Sequence, residues 1–117
     1  MNFKIDGQDV KLKFGVRFCR ELDKVYTVDY EGLEFGMGVN LAVMNLEQKN
    51  PVALANVIYA ASAHKGFDSE DVDEAIEDYA EENGDLNKLF EKIKDELGKS
   101  STVKATIDHF QANAKAE

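Results

Sequence analysis

The sequence predicts an α+β fold that is mainly α, with an N-terminal β-hairpin followed by about five to six helices around a central apolar helix. Three observations carry this. The clearest strand-like alternation lies in residues 2–14, around an Asp6-Gly7 turn. The stretch Pro51 to Ala63 has no charged side chain, although 32% of the chain is charged. The remaining segments repeat apolar residues at helical spacing and are punctuated by glycines. With 117 residues and 44% apolar content, the chain suits one globular domain, assigned to 1–117.

In the hairpin, expected over 2–14, Phe3 and Ile5 alternate with Asn2 and Lys4, and Val10, Leu12 and Phe14 with Lys11 and Lys13. A two-residue turn at Asp6-Gly7 places Phe3 opposite Val10, with Ile5 and Leu12 on the same side. An isolated hairpin is marginal in water, so that side must lie on helices or on another chain's strands.

Gly15 ends the strand, and a helix is expected near 16–26. Phe14, Phe18, Leu22 and Val25 form its apolar stripe, opposite Arg17, Arg20, Glu21 and Lys24. Arg17, Arg20 and Lys24 could bind an anion, but a solvated face flanked by Glu21 and Asp23 is the favoured reading. Thr27 to Gly38 reads as a connector, with three glycines (Gly32, Gly36, Gly38) in seven residues. Leu33, Phe35 and Met37 alternate there with Gly32, Glu34 and Gly36, which suits a short extended strand. Large apolar side chains on such a loop are either a lid on the core or a surface for a partner. These three are the candidate partner-binding or self-assembly residues.

A second, mainly apolar helix is expected near 39–48. The central helix follows near 51–64, with Asn50 as its cap and Pro51 in its first turn. Its apolar residues cover nearly the whole circumference, so burial on all sides is expected. Gly66 closes it. Three amphipathic helices complete the chain, near 70–82, 86–97 and 102–114. The first is capped by Asp68 or Ser69 and stopped by Gly84. The second is capped by Asp85 and stopped by Gly98. The last is capped by Ser100 or Ser101, with Val103, Ile107, Phe110 and Ala114 on one side.

The net charge of −9 is uneven. Residues 1–65 hold eight acids and eight Lys/Arg, whereas residues 66–117 hold fifteen acids and six Lys/Arg. An acidic half argues against nucleic acid and against an anionic membrane, both of which need a basic footprint. No apolar stretch is long and clean enough to span a bilayer, and no secretory signal is evident. The single cysteine, Cys19, forms no internal disulfide and fits a reducing compartment as a small buried thiol.

Catalytic and metal motifs are not found. The carboxylate-rich run Asp68 to Asp78 lacks the glycine at the sixth position of an EF-hand loop, and an apolar stripe runs through it. The histidines, His64 and His109, fall in no metal-ligand or catalytic spacing. No phosphate loop, nucleophile elbow, paired CxxC or H-E-x-x-H occurs. The reading is therefore a non-enzyme without metal or cofactor.

Taken together, the segments LKFGVRFCRELDKVYTV, FGMGVN and NPVALANVIYAA resemble the tail assembly chaperones of long-tailed phages and prophages of Gram-positive bacteria. The likeness is densest over Leu12–Asn40 and Asn50–Ala63. It implies a protein of the infected host's cytoplasm, absent from the mature virion, that binds the tape measure protein and keeps it soluble during tail morphogenesis. It also implies partnership with a longer form of itself made by ribosomal frameshifting, contact with the tail tube protein, and homo-oligomer formation. This chain would be the short form. The rival reading is a small acidic regulatory or antitoxin-like module for a basic protein partner.

Overall fold

Asp6 and Gly7 take φ of 51° and 73°, the paired left-handed residues of a two-residue hairpin turn. They join β1 (Asn2–Ile5) to β2 (Gln8–Lys11). Phe3 pairs with Val10, and Phe3, Ile5, Val10 and Leu12 are buried while Lys4, Asp9 and Lys11 face solvent. The computed structural model describes residues 1–109, and within them all side chains but those of Val28, Tyr30, Leu33, Glu34 and Phe35.

Helix α1 (Val16–Val25) buries Phe18 and Leu22. Val25, expected on the same stripe, is 47% exposed at the helix's last residue, while Tyr26 after it packs against the core. The expected connector is a second antiparallel hairpin. Strand β3 (Thr27–Tyr30) pairs with β4 (Leu33–Gly36) through Val28↔Phe35 and Tyr30↔Leu33. Glu31 and Gly32 form its turn with φ of 50° and 83°. The two hairpins are separate two-stranded sheets.

Helix α2 (Gly38–Glu47) buries Val39, Ala42, Val43 and Leu46. Helix α3 (Pro51–Ala61) starts as expected: the Asn50 side chain accepts a hydrogen bond from the Val52 N–H at 2.9 Å, and Pro51 needs no partner. It packs against α1, α2 and α4 and buries Ala53, Leu54, Val57, Ile58, Ala60 and Ala61. Its burial is not complete, because Val52 is 63% and Tyr59 37% exposed. The helix ends earlier than expected, at Ala61. A 3-10 turn (Ala63–Lys65) follows and closes at Gly66 with φ 72°.

Helix α4 (Ser69–Asn83) opens with a reciprocal box. The Asp68 side chain takes an N–H of the first turn, and Asp71 accepts from the Asp68 N–H at 3.2 Å. Val72, Ala75 and Ile76 face inward, and Gly84 ends the helix at φ 87°. Helix α5 (Asn87–Lys99) begins where Asp85 accepts from the Asn87 N–H at 2.9 Å. It runs through Gly98, which therefore does not stop it. Ser100 has a different role from the expected cap: its hydroxyl donates to the Phe14 carbonyl at 2.8 Å and ties the end of α5 to the exit of the first hairpin. Residues 104–109 form a sixth helix, α6, with Ile107 buried just after Val103. The rest of the expected last helix, including Phe110 and Ala114, lies outside the described residues. The fold is thus α+β and mainly α.

Candidate functional site

The sequence singled out Leu33, Phe35 and Met37 as one alternating row. The backbone separates them. Leu33 and Phe35 belong to β4, opposite Tyr30 and Val28, and their side chains lie outside the described set. Met37 is past the strand, at the cap of α2 with φ −122° and ψ 31°, and is half-buried. The alternation breaks because Gly36 is the last strand residue. In this register, Val28, Tyr30, Leu33 and Phe35 occupy one face of the ribbon, and Asp29 pairs with Glu34 on the other.

The root of this ribbon is held by groups that sequence reasoning did not single out. The Met37 N–H donates to the Tyr26 carbonyl at 2.9 Å and closes the ribbon's base. The Gly38 N–H donates to Asp23 Oδ1 at 2.8 Å. A side chain of α1 thereby caps α2, whose own cap residue, Met37, offers no acceptor. The approach is close. A Cβ on Gly36 would meet the Asp23 side chain at 2.5 Å, and one on Gly38 would meet the backbone of Leu22 and Asp23 at 2.6 Å. The glycines of FGMG are therefore required by contact with α1. Two glycines one residue apart were the available signal. On the other side of the root, Asn56 of α3 donates to the Tyr26 hydroxyl at 3.0 Å.

Cys19 lies beside this root, in a shallow cleft with Asp23, Met37, Asn40 and Thr106. It is half-buried rather than enclosed. Burial, and then the charge of Asp23, push its thiol above the ordinary value and disfavour the thiolate. Two of the basic trio have partners here: Arg17 donates to the Ala63 carbonyl at 3.2 Å, and Lys24 pairs with Glu21 at 3.0 Å. His64 is held below its ordinary value by burial, then by the charges of Lys13, Lys65 and Arg17. Among the described residues, no three His, Cys, Asp or Glu side chains converge to hold a metal ion. No helix among them is long and apolar enough to cross a membrane.

What the site offers is a two-stranded ribbon clamped at its base to a helical body. The model of the family described as phage tail assembly chaperone protein, TAC, matches residues 2–111. The chain belongs to the phage tail assembly chaperone family. The match spans both hairpins and every described helix, so the ribbon is part of the family's domain. No match was found among curated proteins or among solved structures.

Proposed function

We propose that this tail assembly chaperone binds the tape measure protein and keeps it soluble until the tail tube encloses it. The observation that carries the reading is the second ribbon. Its register gathers Val28, Tyr30, Leu33 and Phe35 on one face, and its edges offer unpaired backbone groups. A tape measure protein presents long apolar helical stripes before assembly, and a clamped apolar ribbon is a surface on which such a stripe can rest. The excess of acids in residues 66–117 supplies charge that keeps a chaperone–client complex in solution.

In this reading Leu33, Phe35 and Met37 contribute to client binding or self-assembly, Met37 by setting the root of the ribbon. The protein works in the host cytoplasm, leaves before the virion is complete, and associates with further copies, with a longer frameshifted form of itself and with the tail tube protein. Co-expression with the tape measure protein tests it. The double variant Phe35→Asp, Met37→Asp is expected to fold and to lose the soluble client. A folded double variant that still keeps the client soluble removes the ribbon from the account. A wild-type chain that leaves the client insoluble removes the function.

A further inference from the structure

A groove of about 400 Å³ runs between β1 and α4, far in sequence from the ribbon. Its floor is apolar and aromatic: Phe3, Ala75 and Tyr79, with the two rings 6.1 Å apart and inclined at 41°. Its walls are Asp6, Asp71, Glu74, Asp78 and Glu82, with Lys4 as the one basic lining residue. Glu74, Asp78 and Glu82 recur every fourth residue, so like charges stack along about two turns of α4. Among the described residues, none of these three carboxylates is in an ion pair.

We propose that this groove docks a cationic, amphipathic segment of a protein partner, with its Lys/Arg side chains on the acidic wall and its apolar side chains on Phe3 and Tyr79. Charge complementarity fixes the class of occupant. A cation relieves the repulsion along the wall, and a net charge of −9 draws basic segments toward the surface from a distance. Charge alone would not choose the groove, because the neighbouring solvent-facing row of α4 carries Asp73, Glu77 and Glu81. The floor chooses it, since only on this side do carboxylates border aromatic rings. A second copy of this chain is the less fitting occupant, because its own net charge opposes the approach. The chaperone reading names the client as the natural source of the segment, and to that extent the inference rests on it.

The test uses a labelled 18-residue Leu/Lys helix peptide and the full chain. Wild type is expected to bind the peptide with an affinity that falls as salt rises. The variant Glu74→Gln, Asp78→Gln, Glu82→Gln should bind roughly tenfold more weakly, the amount that three surface ion pairs supply. The control Asp73→Gln, Glu77→Gln, Glu81→Gln removes equal charge and should change affinity by no more than about threefold. Amide shifts should fall on Phe3, Lys4, Ala75 and Tyr79. Equal losses in the two variants, or shifts spread along the outer arc, overturn the groove and leave only general attraction to an acidic protein. No binding by wild type overturns it as well. A groove variant that loses the peptide but still keeps the tape measure protein soluble refutes the link to the client while the chaperone reading stands.

Discussion

Asp23 of α1 caps α2 from fifteen residues away, its Oδ1 taking the Gly38 N–H at 2.8 Å. The carboxylate also places negative charge at the positive end of a helix that has no acid in its own first turn. One side chain thus ties α1 to the start of α2 across the ribbon that links them.

Replacing Asp23 with Ala should lower unfolding free energy by about 1–2 kcal/mol, the upper range for loss of a helix cap. Asn keeps the acceptor and should recover most of it. Urea titration of the three proteins checks this. An Asn variant as unstable as the Ala variant would mean that the charge, rather than the hydrogen bond, does the holding.

Two helical glycines should respond in opposite directions. Gly38→Ala drives a Cβ to 2.6 Å from α1 backbone, so it should destabilise by roughly 2 kcal/mol or more despite the better helix propensity of Ala. Gly98 sits inside α5 with nothing near its absent Cβ. Gly98→Ala should stabilise by about 0.5–1 kcal/mol. Thermal melts of the pair decide it.

The Cys19 thiol should react slowly with iodoacetamide at neutral pH, because burial and the Asp23 charge both disfavour its thiolate. Removing that charge in Asp23→Asn should speed alkylation only in part, since burial is the larger cause. Rates measured against the denatured chain give the comparison.

His64 should titrate below its ordinary 6.5. Its folded value is lowered, so the unfolded chain takes up the proton more readily. The stability it contributes is present above pH 6.5 and is lost as pH falls through the lower folded value. The ring is partly exposed, so imidazole chemical shifts are a better readout than Tm. Lys13→Met should raise the titration midpoint partway and leave the contribution of burial.

The first hairpin was legible because Asp6-Gly7 is the usual pair for its turn and the flanking residues alternate cleanly. The second was read as a connector because its turn begins with Glu31. Few glutamates take a φ of 50°, and nothing local announces that this one does. Gly98 misled in the opposite sense: a glycine near the end of an apolar stripe looks like a stop, but a helix tolerates one at modest cost. The uncharged run in α3 identified the central helix but not which of its sides neighbours would cover, so Val52 and Tyr59 were expected inside. At the candidate site, the apolar ribbon residues were visible as composition. Their clamp was not, because Asp23, Tyr26 and Asn56 meet only through tertiary contact.

The bonds that close the base of the ribbon are made by the backbone of Met37 and Gly38 and by groups on α1, none of them from positions 27–35. The clamp at the base is therefore set by residues on either side of those nine positions. The ribbon is in effect a graft, joined to the body by residues that flank its strands.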